Sequence, residues 1–162
     1  MNLIGRRRAL MTKNNGNLAR FSVTNWYGNV NKPIKIDNGY SVTAIVNHGS
    51  NVLASFTLTS FKIMQRLWGK TVKVSADLTT LNGTKIFFRS GYRNNNWGWT
   101  DFSLKALSTD GRHELIFTLP DTCPSNILSD NPNFMILINV QTNAVSEPNT
   151  VTIKNVRLEV VE

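Results

Sequence analysis

The segment richest in possible chemistry is Arg89-Ser90-Gly91-Tyr92-Arg93-Asn94-Asn95-Asn96-Trp97-Gly98-Trp99-Thr100-Asp101. Three aromatic rings, three consecutive Asn and two Arg fall within one stretch that reads as a loop between strands. Trp97 and Trp99 have equal parity, so on an extended backbone both indoles point the same way. Flat aromatic faces complement the C–H faces of sugar rings, and Asn amides and Arg guanidinium groups can hydrogen-bond ring hydroxyls. That chemistry suits a glycan platform made of Tyr92, Arg93, Asn95, Trp97 and Trp99. Trp26, in Thr24-Asn25-Trp26-Tyr27-Gly28-Asn29, is a smaller candidate. There the adjacent aromatics point to opposite faces, one to the core and one outward. The competing reading makes one Trp of the 97/99 pair a core anchor and the other a loop cap, because aromatics are also large core residues. Trp68, beside a turn glycine, is assigned to packing.

The other reactive residue types argue against an enzyme. A glycosidase needs two carboxylates a defined distance apart, one with a raised pKa. The chain has 10 acidic residues, and Asp37, Asp110 and Asp130 sit at turn signals where Asp is a turn former. His48 and His113 belong to no recognisable nucleophile motif, and His113 and Glu114 point to opposite faces of one strand. No phosphate-cradling Gly-rich loop is present. One cysteine, Cys123, and two widely separated His give no zinc-site spacing and allow no internal disulfide.

What must position these residues is a set of short strands. Along Thr71–Thr79, Val72, Val74, Ala76 and Leu78 share one face, and Thr71, Lys73, Ser75, Asp77 and Thr79 share the other. Period-two alternation puts the first set on the core and the second in water. Phe134, Ile136, Ile138 and Val140 repeat the pattern, with Met135 and Leu137 on an opposite face apolar enough to call for a cover. Further strands are expected at 40–46, 52–59, 84–90, 113–119 and 151–160, separated by turn signals such as Asp37-Asn38-Gly39 and Asp110-Gly111. In the last of these, Val151 and Ile153 have one parity and Val156, Leu158 and Val160 the other. A bulge near Lys154-Asn155 is needed to keep both groups inward. One short helix is expected around residues 61–67. Seven or more such strands predict an all-β, antiparallel sandwich of the jelly-roll kind.

Length and composition agree with one folded domain: 162 residues, 41% hydrophobic and 17% charged. Residues 1–19 read as an N-terminal arm or junction and 20–162 as the sandwich. No apolar run approaches the roughly 18 residues that would cross a bilayer, so no membrane partner is expected. The N-terminus lacks the apolar stretch of a secretory signal, and with Met1 as the start the protein is expected to be made in the cytoplasm. The formal net charge is +8, yet only Arg6, Arg7 and Arg8 are clustered. Scattered charge marks a solvated surface more than a nucleic-acid footprint, which is typically a stripe. It would still draw an anionic partner, such as a phosphate-bearing wall polymer, by attraction that salt weakens.

Two stretches carry a family resemblance. Leu67-Trp68-Gly69-Lys70-Thr71-Val72-Lys73-Val74-Ser75-Ala76-Asp77 resembles a strand of carbohydrate-binding-module-like jelly rolls. Val151-Thr152-Ile153-Lys154-Asn155-Val156-Arg157-Leu158-Glu159 is similar to the closing strand of the same domains. Such domains are appended to polysaccharide hydrolases and also occur in tail and baseplate proteins of phages infecting Gram-positive bacteria. The opening Leu3-Ile4-Gly5-Arg6-Arg7-Arg8-Ala9-Leu10-Met11 looks like a segment of phage tail and prophage proteins. The resemblance implies a non-catalytic module that binds host cell-wall polysaccharide or another glycan. It also implies a place among other tail or baseplate proteins, in a virion assembled in the host cytoplasm. The alternative is a structural assembly or decoration unit without glycan binding, in which Met135, Leu137 and the arm form a protein interface and a homo-oligomer can arise. No cofactor is expected from motifs. A structural calcium ion, often held in such domains by carboxylates and backbone carbonyls, is left open because no continuous loop would reveal it.

Overall fold

The computed structural model describes residues 17–19, 22–25, 34–37, 39–44, 52–58, 61–79, 84–128, 135–142 and 149–161. Arg6, Arg7, Arg8, Trp26, Tyr27 and His48 lie outside the described residues. Ten strands are described, with one short helix: β1 (Ser22–Asn25), β2 (Ile34–Ile36), β3 (Gly39–Ala44), β4 (Val52–Thr57), α1 (Phe61–Met64), β5 (Thr71–Thr79), β6 (Thr84–Arg93), β7 (Trp99–Leu107), β8 (Gly111–Thr118), β9 (Met135–Thr142) and β10 (Asn149–Val161). They form two antiparallel five-stranded sheets, in the orders β1-β4-β9-β6-β7 and β2-β3-β10-β5-β8. The chain passes repeatedly from one sheet to the other, so most pairings join residues distant in sequence. This is the antiparallel sandwich that the strand pattern predicts. No described helix is long and apolar enough to cross a membrane.

Alternation builds the core. From β5 the side chains of Val72, Val74, Ala76 and Leu78 are fully buried, as are Ile86 and Phe88 of β6 and Val151, Ile153 and Leu158 of β10. Leu58, Met64, Leu67 and Leu119 join the same cluster from segments between strands, which is where α1 and its following turn are used. Fully burying each such aliphatic or aromatic side chain contributes about 1.5–3 kcal/mol, so this layer is the main source of stability.

The bulge expected in the last strand is present, but it brings only part of the second apolar group inward. The register of β10 on β5 shifts between Lys154 and Arg157, and Asn155 takes a left-handed φ of 50°. Asn tolerates that conformation better than most residues. Leu158 is thereby turned inward and fully buried, Val156 is half-buried, and Val160 on the last rungs is exposed. Beyond the bulge β10 loses β3 as a neighbour, since their pairing ends at Lys154 and Gly39. Asn17 and Leu18 take over that edge. The Leu18 amide donates to the Leu158 carbonyl at 2.8 Å, and the Asn17 side chain bonds both Val156 O and Leu158 N. The bonded domain therefore reaches back to Asn17, inside the segment read as an arm.

The outer face of the second sheet satisfies itself. Lys73 lies between Glu114 (3.8 Å) and Glu159 (3.6 Å), and Arg112 reaches Asp77, Ser75 and the Asn155 carbonyl. The Asn155 amide bonded to Asp77, reinforced by Arg112, holds the Asp77 carboxyl below its ordinary range. Arg157 bonded to Glu159, with Lys73 nearby, does the same for Glu159. A carboxylate whose folded pKa is depressed adds stability above its unfolded pKa and loses it as pH falls through the folded value. Melting temperature is therefore expected to drop as pH falls below about 4. Asp77→Asn should be less stable than wild type at neutral pH but decline less steeply in acid. Thermal unfolding followed at pH 7 and pH 3 checks this, and identical acid slopes for the two proteins would reject it.

Candidate functional site

The segment that reads as a loop is mostly strand. β6 runs to Arg93, β7 starts at Trp99, and only residues 94–98 turn between them. The reason is a second bulge. Gly91 pairs with Asp101 but Ser90 pairs with Ser103, leaving Phe102 as an extra residue that breaks the period-two pattern of β7.

Asn94 builds the turn. Its side-chain oxygen accepts from the amides of Asn96 and Gly98, each at 3.0 Å, and its own amide donates to the Gly98 carbonyl at 2.8 Å. The Trp97 amide donates to the Asn94 carbonyl at 2.9 Å, closing a four-residue turn. Residue 97 then needs a left-handed conformation, which Gly usually supplies, but here Trp97 holds it at φ 63°. A bulky side chain in that region is a genuine outlier. The residue is 64% exposed. Residues 126–128 splint the tip from the side: Asn95 N donates to Asn126 O, Leu128 N to Arg93 O, and Asn94 bridges Ile127.

Trp99 is held quite differently. Its indole N–H donates to Asp101 Oδ1 at 2.6 Å, and the Arg89 guanidinium lies over its ring, 5.0 Å from the centroid. Arg89 in turn clasps both oxygens of Asp101, at 2.6 and 3.1 Å. The indole passes so close to Gly91 that a Cβ there would sit 2.8 Å from Trp99 Nε1. The result is a half-buried ring, locked in plane by a cation on one face and a carboxylate at its edge.

The residues expected to share a platform are thus divided. Tyr92 faces inward and is only 5% exposed; its hydroxyl donates to Asn126 Oδ1 at 2.7 Å and its ring stacks on Phe102. A buried ring offers no stacking surface, so Tyr92 supports the hairpin from beneath. Phe102 also meets Trp68 edge-on, which fits the packing role assigned to Trp68. Trp97 and Trp99 remain at the surface end of the hairpin, but equal parity does not align them, because the left-handed residue 97 interrupts the extended backbone. Arg93 pairs in register with Trp99 and is half-buried, whereas Asn95 is exposed. Trp26 lies outside the described residues.

Sequence reading missed Asn94 as turn builder, Arg89 and Asp101 as the clamp on Trp99, and Gly91 as the gap beneath it. Recognising residues 94–98 as a hairpin turn would have exposed the clamp, since Arg89, Gly91 and Arg93 then face Asp101 and Trp99 across one strand pair. Among the described residues no group of three or more His, Cys, Asp or Glu gathers as a metal site would require. Among the described residues, the Asp77 and Glu159 carboxyls are held below their ordinary range, opposite to the shift a glycosidase general acid needs.

No protein-family model matches this chain, and no curated protein matches it significantly. Solved structures do. A CBM4 carbohydrate-binding module aligns with a TM-score of 0.56 and 14% identity, over 90% of this chain and 89% of that one. The N-terminal cellulose-binding domain of β-1,4-glucanase C from Cellulomonas fimi aligns with a TM-score of 0.53 and 15% identity, over 88% and 89%. The CBM1 module of BiXyn10A aligns at 0.50 and 14%, over 86% and 89%. Identities this low speak for backbone architecture, and the architecture is clear: the chain has the antiparallel β-sandwich fold of carbohydrate-binding modules.

Proposed function

We propose that the domain is a non-catalytic carbohydrate-binding module whose sugar contact is the β6–β7 tip. Trp97 supplies the open stacking face, Trp99 the rigid one, and Arg93 and Asn95 the polar contacts. The observation that carries this is Trp97: a large apolar ring stands mostly in water at a backbone position that Gly would fill without strain. Strain held at an exposed aromatic motivates a functional role. The sandwich fold shared with carbohydrate-binding modules supports it.

The setting we propose is a phage tail or baseplate, with host cell-wall saccharide as the ligand. Its supports are the resemblance of residues 3–11 to tail and prophage proteins and the net charge of +8, which would attract a phosphate-bearing wall polymer. Calorimetric titration of wild type with wall polysaccharide from a Gram-positive host should show saturable binding, weakened in a Trp97→Ala/Trp99→Ala double variant. Equal binding by the two proteins would remove the tip from the account.

A second reading, assembly without glycan binding, is favoured by exposed apolar residues on edge strands. Ile34 of β2, Leu104 of β7 and Ile116 of β8 are all more than half exposed, at 65%, 51% and 55%. Light scattering after size exclusion separates the readings. A stable oligomer that dissociates when residues 1–16 are deleted, with no glycan bound, would favour assembly. The deletion stops at 16 because Asn17 and Leu18 are bonded to β10.

A further inference from the structure

The tip is unbalanced in charge. Arg89, Gly91 and Arg93 alternate along one face of β6, and the Trp99 indole lies over Gly91, with Arg89 stacked on its ring and Arg93 its register partner. Asp101 cancels Arg89, and its oxygens already accept from Arg89 and from the Trp99 N–H. Among the described residues Arg93 forms no ion pair, and its buried Nε has no hydrogen-bond partner. A guanidinium that is partly out of water and uncompensated by a carboxylate attracts an external anion more strongly than a solvated one does. The neighbouring carboxylate is neutralised, so it does not oppose such a ligand. The Arg89, Asp101 and Arg93 group carries a net charge of +1.

We propose that the ligand is an acidic glycan, in which a phosphodiester or carboxylate oxygen accepts from the Arg93 guanidinium while a sugar ring of the same chain rests on Trp97. This deepens the carbohydrate-binding reading and rests on it. Phosphate and uronate share the acceptor geometry that a guanidinium fork matches.

The test titrates the full chain with three polymers of similar length: a glucosyl-substituted poly(glycerol phosphate), polygalacturonate and a neutral β-1,4-glucan. At least one acidic polymer should bind about tenfold or more tightly than the glucan, as a charge-assisted hydrogen bond allows. The ranking of the two acidic polymers identifies the source of the anion. Arg93→Gln should abolish the preference and Arg93→Lys keep part of it. Lys154→Gln removes the same charge from the outer face of the other sheet, in register with Asp77, and should change affinity by less than about twofold. Equal affinity for all three polymers would leave a glycan binder without acid preference and overturn this inference alone. Equal losses in Arg93→Gln and Lys154→Gln would overturn it too, by assigning the attraction to overall charge. If wild type binds no polymer, the carbohydrate reading falls and this inference with it.

Discussion

Replacing Trp97 by Gly should weaken glycan binding by about 1–3 kcal/mol, roughly 5- to 150-fold, without lowering the melting temperature. The two effects have separate causes. Binding falls because the open stacking face is gone. Stability is preserved because a non-Gly residue in the left-handed region costs about 1–2 kcal/mol, which the Cβ-free residue escapes. Against that stands about 0.5–1 kcal/mol of extra chain entropy lost when Gly is ordered, so the net change is expected between zero and about 1.5 kcal/mol of stabilisation. Trp97→Ala separates the two terms: it removes the ring yet keeps the Cβ, so it should bind as poorly as Trp97→Gly and melt no higher than wild type. Titration calorimetry and thermal unfolding of the three proteins decide the matter. A Trp97→Gly variant that binds like wild type would refute the platform. One less stable than Trp97→Ala would refute the strain.

Gly91→Ala is expected to do the opposite, lowering stability first and binding as a consequence. A Cβ at residue 91 would sit 2.3 Å from the Thr100 carbonyl oxygen, 2.8 Å from Trp99 Nε1 and 3.0 Å from Asp101 Cα. The first of these is backbone, so β7 itself must move. Forced overpacking of this kind costs about 1–3 kcal/mol, and a backbone clash belongs at the upper end. A shift of β7 away from β6 also draws Asp101 and the Trp99 ring away from Arg89, loosening the clamp on the indole. Urea unfolding should show the loss of stability, and near-ultraviolet circular dichroism the loss of a fixed tryptophan. Gly98→Ala is the contrast, since its Cβ would meet only the Asn94 side chain, at 3.2 Å. That change should cost less. Equal stability of Gly91→Ala and wild type would show that the hairpin has slack the geometry denies.

The two outer faces differ in a way that bears on where a ligand could act. On the second sheet, Lys73 and Arg112 are matched to carboxylates across the strands and Arg157 to Glu159 on its own strand, leaving little unmet demand. At the hairpin tip the demand is unmet: Trp97 stands in water and Arg93 is uncompensated among the described residues. Exposed ion pairs of the first kind contribute little to stability individually, and their effect is to keep that face solvated.

What this chain discloses by itself is whatever depends on near neighbours in sequence. Alternation in β5, the parity change at Lys154-Asn155 and the short helical turn after Phe61 are all local patterns, and each stands in the fold where the residues place it. The unusual composition of residues 89–101, on which the proposed site rests, is equally visible. The roles within it are not visible, because they depend on pairings between strands. The bulge opposite Gly91 erases the periodicity of β7, so a hairpin looks like a loop. Which side of β6 is inward is decided by the opposite sheet, and that sends Tyr92 to the core and Arg93 outward. The clamp on Trp99 joins residues 89, 99 and 101 through cross-strand register. Side-chain direction follows from backbone torsion and register together, and both are settled only when the two sheets close on their common core.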